Sequence, residues 1–301
     1  MSVVYLGSSE FAAEVLRRLA ETGEHRPALV VSPPDRRQGR GRKLAPTPAA
    51  AAAEQLGIEV LRTDATEEPA ALERIRAARP ELGVVCAFGQ LLREPLLSEL
   101  ELLNVHPSLL PRWRGAAPIE RAIMAGDAET GVSIMRVTEG LDSGPVALRE
   151  AVEIGDDDFG GLSRRLEGIG ARLLIEALER RRRGELELSE QDDSLATYAD
   201  KIAPSDRRLD PAGAAVELER RVRALNPHIG TALELASGER LGVVEARAEA
   251  GELDQGTLDG ADGLRLGCAE GVLRLLRVRP PGGRSMDADA YLRGHELPEL
   301  A

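Results

Sequence analysis

The amino-terminal part of the chain alternates short apolar runs with segments of helical periodicity, and this pattern constrains the fold most. The apolar runs are at residues 3–6, 28–31, 58–61, 82–87, 102–105 and 131–137. The helical patterns are at residues 11–22, 48–56, 69–78, 95–100 and 162–183. Strands that are apolar on both faces and alternate with helices are typical of a parallel sheet. We therefore predict an α/β domain at residues 1–189, with a doubly wound, mostly parallel, Rossmann-like sheet.

The carboxy-terminal part of the chain has a different pattern. A polar, acidic stretch at residues 190–208 is typical of an exposed linker. A helix at residues 211–225, with Asp210 as its expected cap, precedes short apolar runs and Gly-rich turns at 232–235, 241–247, 256–258, 264–268 and 272–278. Five short strands predict a small β-barrel resembling an oligonucleotide-binding fold, at residues 209–301.

The charge and composition of the chain argue against several classes of function. The chain carries 39 basic and 51 acidic residues, a net charge of -12, so it should not bind nucleic acid indiscriminately. Its apolar runs are too short to span a bilayer and its start lacks signal-peptide features, so we expect a cytoplasmic protein without membrane contact. Cys86 and Cys268 lack partners at ligand spacing, which favours buried thiols over a metal site. We expect His25 and His295, which stand in polar contexts, at the surface.

Three polar residues near predicted strand ends form the candidate catalytic group. Asn104 and His106 are two positions apart on one strand, so their side chains should project to the same side. Asp142 lies in the Gly-flanked loop EGLDSG after a later strand, where the chain can return toward the imidazole. Ligands commonly bind at strand ends of open α/β sheets. An amide, an imidazole and a carboxylate suit attack by an amine on a carbonyl-like carbon, with Asn104 and His106 stabilising the oxyanion and Asp142 orienting His106.

Other chemistries have less support from these residues. Ser108 lacks the Gly-x-Ser-x-Gly elbow that covalent acyl transfer commonly uses. The first strand-to-helix turn, GSSEF, has one glycine and does not match Gly-x-Gly-x-x-Gly, so a nicotinamide cofactor is not expected. Each polar residue taken alone is more often a turn former than a catalyst. Spacing alone therefore leaves the reaction open.

A longer motif surrounds these residues. The run NVHPSLLPRWRGAAPIERAIMAGDAETGVSIMRVTEGLDSG resembles the signature of the formyltetrahydrofolate-dependent formyltransferases, and RWRGAAPI is the form typical of methionyl-tRNA formyltransferases. The resemblance implies catalytic roles for Asn104, His106 and Asp142. It also implies a folate-binding loop, formed by Ser108, Leu109, Leu110 and Pro111. The implied reaction transfers the formyl group of 10-formyltetrahydrofolate, used as a co-substrate without a metal, to methionine on initiator tRNA for translation initiation.

A basic segment near the amino terminus provides a candidate RNA contact. Residues 35–43 contain five basic residues and one acidic residue, interrupted by two glycines. Cations gathered on a mobile loop suit a phosphate contact on an otherwise acidic protein, although such a charge run is more often only solvated. The segment is similar to the tRNA-binding insertion loop of the family. The resemblance therefore implies tRNA contacts by Arg36, Arg37, Arg40, Arg42 and Lys43.

Alternatives remain open at this point. The same constellation could formylate another amine, such as a sugar nucleotide or glycinamide ribonucleotide, or hydrolyse formyltetrahydrofolate. An RNA-binding module with a vestigial site is a further reading, which the intact polar trio disfavours. We expect a monomer. A departure from the family occurs at His228, where many members have tryptophan.

Overall fold

The structure is a computed structural model that describes residues 1–38, 41 and 43–301. Two of the expected tRNA-binding residues, Arg40 and Arg42, lie outside the described residues. The chain forms two compact units. The first comprises Met1–Pro118, Thr130–Val152 and Ser163–Ala199, and the second comprises Ile119–Glu129, Glu153–Leu162 and Asp200–Ala301.

A seven-stranded sheet, mostly parallel, organises the first part of the chain. The strands up to residue 199 are β1 (Val3–Gly7), β2 (Leu29–Ser32), β3 (Arg36–Gln38), β4 (Lys43–Ala45), β5 (Glu59–Arg62), β6 (Leu82–Cys86), β7 (Leu102–His106), β8 (Arg114–Gly115), β9 (Glu129–Arg136), β10 (Val146–Glu153) and β11 (Tyr198–Ala199). The large sheet has the order β10-β9-β7-β6-β1-β2-β5. The β5–β2, β2–β1, β1–β6 and β6–β7 pairs are parallel, and β9 pairs antiparallel with β7. The predicted mostly parallel sheet is confirmed.

Helices separate these strands as the periodicity predicts. They are α1 (Glu10–Glu21), α2 (Pro48–Gln55), α3 (Pro69–Ala77), α4 (Leu96–Glu99), α5 (Pro118–Ala125) and α6 (Phe159–Arg183). The side chain of Thr47 caps α2 by accepting a hydrogen bond from Ala50 N at 3.2 Å, and Pro48 occupies the first helical position. Proline suits that position because the first-turn N–H groups have no partner within the helix.

The central strands are buried along their whole length. Every residue of β1, β2 and β6 is buried, which explains their continuous apolar runs. On one face, Val4 and Leu6 join a core cluster that includes Leu72 and Ile75 of α3. Burial also raises the pKa of the Cys86 thiol to about 12. The predicted buried thiol at Cys86 is confirmed.

The second unit contains an antiparallel sheet. Its strands are β12 (Thr231–Glu234), β13 (Arg240–Glu249), β14 (Leu258–Asp259), β15 (Arg265–Gly267), β16 (Val272–Arg279) and β17 (Met286–Asp287). They pair in the order β12-β13-β16-β15-β14, and β17 pairs with β16. Two helices, α7 (Ala215–Leu225) and α8 (Ala288–Gly294), contribute Leu218, Val222 and Tyr291 to its core. The predicted class, an α/β domain followed by a small β domain, is confirmed.

Some sequence predictions were wrong in detail. Helix α7 begins at Ala215 with Ala214 as its N-cap, and Asp210 instead accepts a hydrogen bond from Ala212 N in the preceding turn. His25, predicted at the surface, is buried, and its Nε2 lies 2.8 Å from Glu179 Oε1.

His228 stacks on Phe159 with ring centroids 3.6 Å apart. The helices of the described residues lack a segment with the length and apolar character needed to cross a bilayer.

Candidate active site

The three predicted catalytic side chains converge around the Asp142 carboxylate. Asn104 and His106 lie two positions apart on β7, and Asp142 lies in the loop between β9 and β10. Asn104 Nδ2 donates to Asp142 Oδ1 at 3.3 Å. Asp142 Oδ2 lies 3.7 Å from His106 Nδ1 and accepts a hydrogen bond from Gly115 N at 2.8 Å. An amide, an imidazole and a carboxylate therefore share one site, as the spacing predicted.

The imidazole is oriented by a backbone carbonyl. His106 is buried, and its Nε2 lies 2.8 Å from the carbonyl oxygen of Trp113. Because a carbonyl oxygen only accepts, Nε2 carries a proton and Nδ1 is the ring atom that faces Asp142. The 3.7 Å separation exceeds hydrogen-bond distance, so Trp113, and not Asp142, supplies the orienting hydrogen bond. That Asp142 orients His106 stays a prediction, with Asp142 Oδ2 within ion-pair distance of Nδ1.

A glutamine from the predicted linker holds the Asp142 loop. Gln191 Nε2 donates to the backbone oxygens of Asp142 at 2.8 Å and Gly144 at 2.6 Å. Gln191 Oε1 accepts from Arg114 Nε at 3.1 Å and Nη2 at 2.9 Å. Arg114 also pairs with Asp193, at 2.7 Å. Sequence reasoning missed Gln191 because a polar stretch between domains gives no sign that one of its residues folds back onto a site.

The predicted folate loop is held by hydrogen bonds within the protein. Ser108 is fully buried, and its Oγ donates to Arg112 O at 2.6 Å. Ser133 Oγ donates to Ser108 O at 2.7 Å and accepts from Leu110 N at 3.1 Å. Leu110 is buried as well, whereas Leu109 and Pro111 are half-buried. Ser108 and Leu110 are therefore the buried members of the loop, and Leu109 and Pro111 are its partly exposed members.

A cavity lies beside this loop. It has a volume of 340 Å³, and its walls include Leu110, Pro111, Leu148, Arg149 and Leu195. Arg149 Nη1 donates to Leu110 O at 3.4 Å. Glu190 and Asp192 also line the cavity, which thus combines apolar walls with one guanidinium and two carboxylates.

The flanks of the basic segment form a hairpin in which β3 pairs antiparallel with β4. Arg36, Arg37 and Lys43 are exposed, and Arg36 Nη2 lies 3.3 Å from Asp64 Oδ1. Leu44 of the same hairpin is 67% exposed. A cationic surface with an exposed apolar side chain is compatible with an RNA contact.

Both parts of the chain match models of one protein family. Residues 1–178 match the model described as formyl transferase, and residues 201–296 match the model of the formyl transferase C-terminal domain. The methionyl-tRNA formyltransferase of Methylococcus capsulatus (strain Bath) is 43% identical over 307 residues, which cover 99% of this chain and 98% of that protein.

Solved structures share the fold at lower identity. A methionyl-tRNA formyltransferase from Clostridium thermocellum aligns with a TM-score of 0.60 and 13% identity, over 83% of this chain and 94% of that one. HypX from Aquifex aeolicus in complex with tetrahydrofolic acid aligns with a TM-score of 0.65 and 17% identity, over 96% of this chain and 46% of that one. At these identities the likeness concerns the fold alone.

Proposed function

The chain belongs to the methionyl-tRNA formyltransferase family, and from that membership we propose that it transfers the formyl group of 10-formyltetrahydrofolate to the α-amino group of methionine on initiator tRNA. The product is N-formylmethionyl-tRNA for translation initiation, a reaction that takes place in the cytoplasm. The observation that carries the proposal is the convergence of Asn104 and His106 on Asp142 in a chain 43% identical, over nearly its full length, to a named methionyl-tRNA formyltransferase.

The proposed reaction is an amine attack on a formyl carbon. The amine nitrogen forms a bond to the formyl carbon and gives a tetrahedral oxyanion, and the bond from that carbon to N10 of the folate then breaks. The amine loses a proton and N10 gains one, so protons balance overall. An α-amino group has an ordinary pKa of about 7.7–8.0, so a neutral fraction is present near pH 7 without a strong base.

The three side chains have separable roles in this proposal. The Asn104 amide has two N–H donors, of which one reaches Asp142 Oδ1, and we assign the other to the oxyanion. His106 donates from Nε2 to Trp113 O, so Nδ1 accepts the proton that the amine loses and, once protonated, donates to the oxyanion. The Asp142 carboxylate, 3.7 Å from Nδ1, stabilises a positive charge on the ring. One oxyanion donor is worth about 2.7–4 kcal/mol of barrier.

We assign folate binding to the loop at Ser108, Leu109, Leu110 and Pro111 and to the cavity beside it. The internal hydrogen bonds of Ser108 and Leu110 give the loop a fixed shape before a ligand binds. Preorganisation of this kind lowers the ordering cost of binding. Leu110 and Pro111, which line the cavity, then provide apolar contact for the donor.

We assign tRNA contact to the β3–β4 hairpin and the residues between its strands. Exposed Arg36, Arg37 and Lys43 support this assignment, which also includes Arg40 and Arg42. Such contacts position the backbone of an RNA and depend on salt, because binding releases condensed counterions.

A transfer assay tests the proposed substrate. Formyl transfer from 10-formyltetrahydrofolate is measured with methionine-charged initiator tRNA, charged elongator tRNA and free methionine. We expect rapid transfer that is selective for the initiator. Binding of the folate without transfer to the charged initiator would contradict the proposed acceptor and favour another amine or water.

A variant of the hairpin tests the tRNA assignment. Replacing Arg36, Arg37 and Lys43 with alanine should raise KM for tRNA and flatten the salt slope by about one per lost phosphate contact, with folate affinity unchanged. The matched control removes three exposed arginines elsewhere in the first unit: Arg74, Arg172 and Arg181. Equal effects of the two triple variants would show that net charge, and not the hairpin, determines tRNA use.

A further inference from the structure

Segment 190–199, which lies in the linker predicted from sequence, is hydrogen-bonded to both halves of the candidate active site. Gln191 holds the backbone of the Asp142 loop through two hydrogen bonds. Thr197 Oγ1 accepts a hydrogen bond from Trp113 N at 2.9 Å, next to the carbonyl that orients His106. Strand β11 of the same segment pairs in parallel with β8. The segment thus contacts the carboxylate loop on one side and the loop that orients the imidazole on the other.

The orientation of the Gln191 amide follows from its partners. Arg114 only donates hydrogen bonds, so the atom that faces it must be Oε1. The carbonyl oxygens of Asp142 and Gly144 only accept, so the atom that faces them must be Nε2. Arg114 is itself buried, with its charge paired to Asp193. The Arg114 guanidinium therefore fixes the orientation of the Gln191 amide, and this amide in turn holds the Asp142 loop.

The Asp142 loop requires such support. Asp142 has φ +46, in the left-handed region that side chains rarely adopt. Residues held there persist only where the surrounding structure determines their conformation. At Gly144, a Cβ would lie 1.9 Å from Arg136 O, so the loop passes close to β9 and has little room to shift there. The hydrogen bonds from Gln191 are made to the backbone oxygens of these same two residues.

We propose that Gln191, fixed by Arg114, is a positioning residue that sets the Asp142 carboxylate for the transfer step. It acts through Asp142 and does not touch the reacting atoms. This inference rests on the proposed function, because it assigns Asp142 a part in formyl transfer. A residue between the two family domains is thereby part of the catalytic apparatus.

The test compares two substitutions at one position with a neighbouring control. Gln191→Ala removes all four hydrogen bonds, whereas Gln191→Glu keeps the acceptor for Arg114 and replaces the donor that serves the two carbonyl oxygens. The control is Ser194→Ala, which loses the hydrogen bond from Ser194 Oγ to Asp192 Oδ1 in the same segment. Unfolding midpoints show whether each variant folds.

We expect a kinetic effect confined to the transfer step. Both Gln191 variants should lower kcat by about 10- to 100-fold, since a misplacement near 1 Å has that effect. KM for the folate donor and for charged tRNA should stay within about two-fold of wild type, because neither ground-state complex needs the exact position of the carboxylate. Ser194→Ala should keep wild-type kcat. Gln191→Glu should fold, since its carboxylate faces Arg114, and still show the loss.

Asp142→Asn, measured in parallel, distinguishes a failure of the role proposed for Asp142 from a failure of the role proposed for Gln191. If Asp142→Asn retains wild-type kcat, the proposed role of Asp142 fails, and the inference fails with it. If Asp142→Asn is impaired but both Gln191 variants keep kcat, only the inference is overturned. Equal loss in the Gln191 variants and Ser194→Ala would also overturn it, because general loosening of the segment would then account for the effect.

Discussion

Gly115 contributes both to the stability of the first unit and to the geometry of the candidate active site. Its amide donates to Asp142 Oδ2 at 2.8 Å, and its φ is +119. A Cβ built on Gly115 would lie 2.9 Å from Ala199 O, a backbone atom that cannot rotate away. Ala199 O also accepts hydrogen bonds from Ala116 N at 2.8 Å and Ala117 N at 3.2 Å. Gly115→Ala must therefore strain the backbone and displace a shared acceptor.

The expected size of the stability loss follows from these contacts. A side chain held at this φ costs about 1–3 kcal/mol. Weakening the two hydrogen bonds to Ala199 O adds up to about 1 kcal/mol each. The free energy of unfolding should therefore fall by about 1–5 kcal/mol. If the Gly115 amide moves away from Asp142, kcat should also fall by about 10- to 100-fold.

Gly57→Ala is the matched control. Gly57 has φ +68, but a Cβ there would meet nothing within 4 Å, so only the backbone term of about 1–2 kcal/mol applies. Urea unfolding and single-turnover formyl transfer are measured for both variants and the wild type. The reasoning is refuted if Gly115→Ala loses no more stability than Gly57→Ala and transfers at the wild-type rate.

Two further predictions concern groups outside the site. Hydrogen bonds from Arg182 and His25 hold the pKa of Glu179 at about 2, below its ordinary 4.5, so its contribution to stability is present above pH 4.5 and is lost as pH falls toward 2. The difference in unfolding free energy between wild type and Glu179→Gln should therefore shrink over that window in denaturant titrations, and a constant difference would contradict the assignment. Burial raises the pKa of Cys86 to about 12, so in a Cys268→Ser variant a thiol reagent should react at pH 8 only after denaturant is added. Rapid reaction of the native protein would show that Cys86 is accessible.

The sequence predicted the features that depend on local periodicity. Continuous apolar runs identified β1, β2 and β6 because a strand buried on both faces needs apolar residues at every position. The two-residue spacing of Asn104 and His106 placed them on one side of β7 for the same geometric reason. Asp142 was found because a Gly-flanked loop after a strand favours chain reversal.

Features that depend on distant contacts could not be predicted in this way. Gln191 lies 49 residues after Asp142, and its role depends on Arg114, which no local pattern links to it. His25 is buried because Glu179, 154 residues away, provides a polar partner. Its polar neighbours in the sequence give no sign of that partner, and for this reason they suggested an exposed side chain. The trio could thus be predicted from sequence, whereas the residues that hold it in place could not.

The most direct test of the central claim is the rate of formyl transfer to methionine-charged initiator tRNA by wild type and Asn104→Ala, each saturated with 10-formyltetrahydrofolate. The loss of one oxyanion donor predicts that kcat falls by about 100- to 1,000-fold while folate affinity is unchanged. Transfer by Asn104→Ala at the wild-type rate would contradict the assignment of the oxyanion site to β7.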